Sequence, residues 1–217
     1  MCGRYTIDGA EAEIEKRFSA KFDLDKFQAR YNAAPSQNMP VILNSDPKKI
    51  ISAKWGFQPA WFKKEEKTDG LINARAETIS QKPFFKNAFA KNRCLVLSSG
   101  FYEWDKVSGS KIPYLIKLKS IQLFAFAGIW VNNADDWPTF AIITIAANEL
   151  ISKIHDRMPV ILESNIENNW LDNKILLEER LKLLKSYPAN LMEMHPVSRA
   201  VNSPANDSPA LINLIIK

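Results

Sequence analysis

Between residues 41 and 147 the apolar residues gather in short runs of strand length, and this limits what the chain can build. Val41–Asn44, Ile50–Trp55, Cys94–Leu97, Tyr114–Leu118, Leu123–Trp130 and Thr139–Ala147 are β-branched, aromatic or alternating, the composition that fits a pleated, half-buried surface. The longest of them falls far short of the ~18 apolar residues of a membrane span. Asp135-Asp136 and Ser108-Gly109-Ser110 read as hairpin turns, and the charged stretch Lys63–Gly70 as a solvated loop. Helical patterns lie at the edges of this region. Ala10–Ala20 places Ile14 and Phe18 on one face, with Asp8 as a cap. Ser164-Asn165-Ile166-Glu167 has the form of a capping box opening a short helix through Trp170, and Ile175–Leu184 reads as another, ended by Tyr187-Pro188. The tail Leu211–Ile215 reads as a last strand. No linker or repeat divides the chain. The expectation is one α+β domain over residues 1–217, mainly antiparallel sheet curling into a barrel, with peripheral helices.

Bulk properties narrow the function less. The 217 residues suffice for a sizeable core. A net charge of +5 permits nucleic-acid binding without establishing it. The N-terminus lacks a basic region followed by an apolar stretch, so the expected location is cytoplasmic, with no membrane partner. Two cysteines cannot make a disulfide framework, which fits a reducing compartment. Cys94, within Arg-Cys-Leu-Val-Leu, reads as a buried, inert thiol.

The other cysteine is Cys2, in Met1-Cys2-Gly3-Arg4-Tyr5. Removal of Met1 would leave Cys2 with a free α-amine and a thiol on adjacent carbons. An α-amine of pKa ~7.7–8.0 is substantially unprotonated at neutral pH. It can condense with an aldehyde, and the thiol can then close a five-membered thiazolidine on the same carbon.

Three segments put polar groups where a plain strand would carry apolar ones: Ile72–Thr78, Gly100–Trp104 and Ile154–Val160. Taken alone, Glu103 could be a surface residue on an alternating strand, and His155 a capping or satisfied core histidine. The chain has only 2 histidines, however, and one lies in the dense polar tripeptide His155-Asp156-Arg157.

Together with Arg30–Pro35, Trp55–Trp61, Ala127–Trp130 and His195–Ser198, these segments and the Met-Cys-Gly-Arg start resemble, in order, the motifs of the SRAP family. Its members process abasic sites, cross-linking covalently to them in single-stranded DNA. The resemblance implies a single SRAP domain and supplies the aldehyde, the ring-opened abasic deoxyribose. It also implies roles. Cys2 is the nucleophile, Glu103 the proton shuttle and His155 an aid to sugar opening and reversal. Asn73 orients the amine or binds the sugar. Arg4 and Arg75 meet phosphates, and Trp61 and Phe62 stack or wedge beside the gap, with Pro35 lining the site. The implied partner is single-stranded DNA containing abasic sites, bound by a monomer with no cofactor and no metal. One departure is Leu97-Ser98-Ser99, where many members have a proline and an acidic residue.

Rival readings remain. An N-terminal-nucleophile amidohydrolase can also begin Met-Cys-Gly. A self-processing peptidase could use Cys2, Glu103 and His155 to remove Met1. Cys2, Cys94, His155 and His195 lack the paired spacing of a zinc site. A non-catalytic single-strand binding module would not need Cys2.

Overall fold

The computed structural model describes residues 2–24, 26–62, 70–107, 109 and 111–215. The loop expected over Lys63–Gly70 and the turn at Ser108–Ser110 therefore fall largely outside the described residues. The six apolar runs each form a strand, with ends shifted by a few residues: Asn38–Leu43, Lys49–Trp55, Arg93–Ser98, Pro113–Leu118, Phe124–Asn132 and Pro138–Ala146.

Five of these six close a ring. Lys49–Trp55 pairs antiparallel with Asn38–Leu43, which pairs with Arg93–Ser98, then Phe124–Asn132, then Pro138–Ala146. Pro138–Ala146 returns to Lys49–Trp55 in parallel, Phe140 opposite Trp55, and so completes a mixed barrel. Closure removes the exposed edges that a sheet of this apolar content would otherwise present. Two short strands lie against Pro138–Ala146: Asn73–Arg75 in parallel and Arg157–Pro159 antiparallel.

A second, antiparallel sheet runs in the order Met192–Pro196, Pro113–Leu118, Gly100–Trp104, Tyr5–Ile7, Arg30–Ala33. The chain passes from barrel to second sheet at Ser98-Ser99-Gly100. Here Ser98 Oγ donates to the carbonyls of Thr6 and Gly100, at 3.2 and 3.1 Å. The Ser99 hydroxyl lies 2.8 Å from Thr6 Oγ1 and donates to the Asp8 carboxylate. The two serines thus hold the Glu103 strand to the strand that follows Cys2. Aromatic edges join the sheets above this corner, Tyr5 lying 5.1 Å from Trp55 and 5.8 Å from Phe126.

Several local expectations are corrected. The first helix is Glu11–Phe18 with Ala10 at its N-cap, and Asp8 is committed to Ser99. Glu13 accepts from the Ala10 N–H instead, at 3.2 Å. The helix after Ser164 begins only at Glu167, whose carboxylate takes Arg17 through two bonds of 2.9 and 2.7 Å and so caps nothing. Leu177–Lys182 is a shorter helix than Ile175–Leu184 suggests. The tail is a 3-10 turn, Pro209–Ile212, not a strand. Pro209 sets its first turn, and Leu211 packs with Tyr102, Val197 and Val201. Helix Pro83–Lys91 escaped the sequence reading; it opens on a proline and buries Phe85, Ala88 and Phe89.

Cys94 is fully buried, as expected. It lies opposite Gly128, where an added Cβ would come within 2.7 Å of the Cys94 sulfur.

Candidate active site

Both sheets contribute to one buried cluster. The barrel side supplies Asn73, on the strand paired at Ile142, and His155, just before Arg157–Pro159. The second sheet supplies Glu103, on Gly100–Trp104, and Cys2, three residues before Tyr5–Ile7. Cys2, Glu103 and His155 are each at most 3% exposed.

The Asn73 amide nitrogen donates to the Cys2 carbonyl oxygen at 2.9 Å. Its own oxygen is buried and accepts no hydrogen bond among the described residues. The Cys2 thiol points to the Arg4 carbonyl at 3.8 Å. Burial pushes this thiol far above its ordinary pKa, and the Glu103 carboxylate adds to the shift. Burial also raises Glu103, with Lys106 among the charges pulling it back. His155 Nε2 lies 3.9 Å from Glu103 Oε2. Burial lowers His155, and positive charge at the chain's amino terminus and on Lys106 lowers it further. Burial thus shifts all three groups toward their neutral forms.

The His155 ring is held from both ends. Nδ1 accepts the Arg157 backbone N–H at 2.9 Å and lies 3.0 Å from Asp156 Oδ1. Nε2 meets the Lys106 ammonium nitrogen at 3.1 Å. The Arg157 guanidinium is anchored on Glu77 by bonds of 2.6 and 3.0 Å, and on the Thr144 carbonyl at 2.6 Å. Lys106, Arg157 and Glu77 were not singled out from sequence. Glu77 and Arg157 do stand in the polar segments that were, whereas Lys106 carried no signal.

The side chains of the remaining candidates have other surroundings. Arg75 is exposed. Arg4 is largely engaged by protein, donating to Asn32 Oδ1 at 2.8 Å and to the carbonyls of Val201 and Asn202 at 2.7 and 3.1 Å. Trp61 is 68% exposed and stands edge-on to Phe84 at 5.3 Å, with Phe62 on the same ring at 6.0 Å. Phe84, unremarked in the sequence, is thus the base of an aromatic shelf beside a cavity of about 300 Å³. Pro35 is half-buried. Among the described residues, no hydrogen bond or ring contact ties Arg75, Trp61, Phe62 or Pro35 to the cluster. The second histidine, His195, makes its contact elsewhere, Nε2 lying 3.0 Å from the Ile212 carbonyl.

Comparison with known proteins adds to this geometry. A family model described as "SOS response associated peptidase (SRAP)" matches residues 1–204. The abasic site processing protein YoqW of Bacillus subtilis is 42% identical over 221 residues, covering 98% of this chain and 99% of that protein. The abasic site processing protein HMCES of Xenopus tropicalis is 30% identical over 269 residues, covering 100% of this chain and 79% of that protein. A crystal structure of a protein from Bacteroides thetaiotaomicron superposes with a TM-score of 0.90 at 27% identity, over 99% of this chain and 100% of that one.

Proposed function

The chain belongs to the SRAP family, and from that premise we propose that it captures abasic sites in single-stranded DNA by covalent linkage through Cys2. Removal of Met1 exposes the Cys2 amine. This amine adds to the C1′ aldehyde of the ring-opened deoxyribose to give a carbinolamine, which loses water to become an imine. The Cys2 thiol then adds to the imine carbon, its proton passing to the nitrogen, and a thiazolidine closes. One water leaves overall, and no oxidant, reductant or metal is consumed.

The observation that carries this reading is the convergence of Cys2, Asn73, Glu103 and His155 from two sheets. Glu103, held toward its protonated form by burial, donates the proton that lets the carbinolamine hydroxyl leave. The resulting carboxylate takes the proton of the iminium nitrogen, giving the neutral imine, and then relays the thiol proton to that nitrogen as the ring closes. Such a group is worth ~10²–10⁴ in rate. His155, held neutral, moves protons at the sugar during ring opening and on reversal. The Asn73 oxygen, which accepts no hydrogen bond among the described residues, offers an acceptor to the amine or to a sugar hydroxyl, and its amide nitrogen fixes the Cys2 peptide.

DNA is held by charge and by stacking. Arg75, exposed on the strand edge, meets a phosphate, and Arg4 adds its remaining donor capacity while bracing the Arg199–Asn202 turn. Trp61 and Phe62, propped on Phe84, stack on a base next to the gap, with Pro35 at the margin. Among the described residues no helix is long and apolar enough to cross a membrane. We place the protein in the cytoplasm, acting as a monomer on DNA.

The name of the family points to a peptidase as the second reading. A cysteine peptidase needs a thiolate, produced by a depressed thiol pKa. Burial, the largest influence on it, pushes the Cys2 thiol the other way. The test is a denaturing gel of the protein with single-stranded oligonucleotide, abasic or intact, comparing wild type with Cys2→Ala. A heat-stable shifted band only for wild type with abasic DNA supports the reading. The same band with Cys2→Ala removes Cys2 from the mechanism.

A further inference from the structure

A bulge in the second sheet places one buried amide between Arg4 and the carboxy-terminal turn. Tyr5 pairs with Ala33 and Ile7 with Arg30, so two residues, Tyr31 and Asn32, share the place opposite Thr6. A bulge of this kind re-aims a side chain. The backbone N–H groups of Tyr31 and Asn32 both donate to Asp207 Oδ1, at 2.6 and 3.0 Å. Asn32 is fully buried. Its Nδ2 lies 3.2, 2.9 and 2.7 Å from the carbonyl oxygens of Val201, Ser203 and Asn206. Its Oδ1 accepts from Arg4 Nη1 at 2.8 Å. The Val201 carbonyl accepts from the same Arg4 nitrogen at 2.7 Å, and the Asn202 carbonyl from Nη2 at 3.1 Å. One amide thus holds the guanidinium directly and also holds the turn that grips it.

We propose that Asn32 is a positioning residue for DNA binding, fixing the Arg4 guanidinium so that its uncommitted edge is ready for a phosphate. A guanidinium has five N–H groups. Nη1 spends its two on Asn32 and Val201, and Nη2 spends one on Asn202. The Nε–H and the second Nη2–H make no hydrogen bond among the described residues, and two such donors can take two phosphate oxygens together. The backbone is held as well, because the Arg4 carbonyl accepts the Tyr102 N–H at 3.0 Å, one residue before Glu103. A long side chain fixed in advance has little freedom left to lose on binding. The use of this hold rests on the proposed function, in which Arg4 meets a phosphate; the hold itself does not.

A double-variant cycle separates positioning from folding. Binding of intact single-stranded oligothymidylate, which offers no aldehyde, is followed by fluorescence anisotropy below the melting temperature of every variant. Asn32→Ala should weaken binding about three- to tenfold in the wild-type background and leave the affinity of Arg4→Met unchanged, because both act through one group. An equal loss in both backgrounds, as a merely structural role would give, overturns the proposal; so does no loss in the wild-type background. A second measurement leaves Asn32 intact and decides the matter if Asn32→Ala fails to fold. With ¹⁵N-arginine labelling, and Arg4→Lys to assign the peaks, wild type should show separate Nη1 and Nη2 signals for Arg4. Added oligothymidylate should shift Nε and Nη2 and leave Nη1 in place. A single averaged Nη signal, or a shift confined to Nη1, overturns the proposal. Wild type that binds no oligothymidylate sinks the functional reading and the proposal with it, whereas binding without coupling sinks the proposal alone.

Discussion

Asn73 donates a 2.9 Å hydrogen bond to the carbonyl of Cys2 from 71 residues away, fastening the amino-terminal segment to the barrel. Residues 2–4 lie outside the regular strands, and this bond holds the Cys2 carbonyl from the barrel side.

Loss of that bond should therefore be felt in rate before stability. Asn73→Ala removes one interaction worth ~0.5–1.5 kcal/mol and leaves a buried carbonyl unsatisfied. Single-turnover linkage to an abasic oligonucleotide is expected to slow about tenfold, with the melting temperature changed by only a few degrees.

Glu103→Gln should lower the linkage rate by ~10²–10⁴. It has a second consequence, which follows from linkage. Burial raises the folded-state pKa of Glu103 above the ordinary 4.5, so the folded protein binds this proton more tightly than the unfolded chain. The stability it contributes is complete below 4.5 and is lost as pH rises through the raised value. The glutamine variant has no such loss. Its melting temperature should exceed that of wild type increasingly as pH rises above 4.5 and match it in acid. His155, with a lowered folded pKa, acts in the opposite sense: its contribution is present above the ordinary 6.5 and lost as pH falls through the lowered value.

Trp61→Ala should weaken binding of single-stranded DNA by ~1–3 kcal/mol without lowering stability, because the ring is mostly exposed. Phe84→Ala should weaken binding as well, but with a loss of stability, since Phe84 supports Phe57 and Phe85 in addition to Trp61. Fluorescence anisotropy and thermal melts on the two variants separate the effects.

Gly128→Ala tests the barrel. The new methyl would meet the Cys94 sulfur at 2.7 Å and Val96 at 2.9 Å, an overpacking that costs ~1–3 kcal/mol. Cys94→Ala in the same chain should recover part of it, because the two sites share one space. Urea titration of the single and double variants gives the coupling.

The barrel strands could be read from the sequence because each is a continuous apolar or alternating run, and period-2 patterning survives any pairing order. Closure by the parallel Phe140–Trp55 contact could not, since nothing local in either run specifies a parallel partner. Strands of three residues, such as Asn73–Arg75 and Arg157–Pro159, are too short to carry a pattern. They were noticed only as polar interruptions, which is why the site segments could be picked out before their geometry. Asp8 and Glu167 look like caps by spacing, and tertiary partners, Ser99 and Arg17, claim them instead. Helix Pro83–Lys91 does carry a signal, a proline ahead of Phe85, Ala88 and Phe89 at helical spacing. Lys106 left none: its reach to His155 depends on how two loops cross, not on its neighbours in the chain.

The central claim is that the Cys2 amine and thiol together hold the abasic sugar, and the mass of the isolated adduct tests it most directly. After nuclease and protease digestion, an N-terminal peptide beginning at Cys2 and carrying the sugar remnant is expected. Its mass should be the sum of the two parts less one water, with no thiol left to alkylate. An adduct that retains Met1, leaves the Cys2 thiol alkylatable, or maps to a lysine would contradict it.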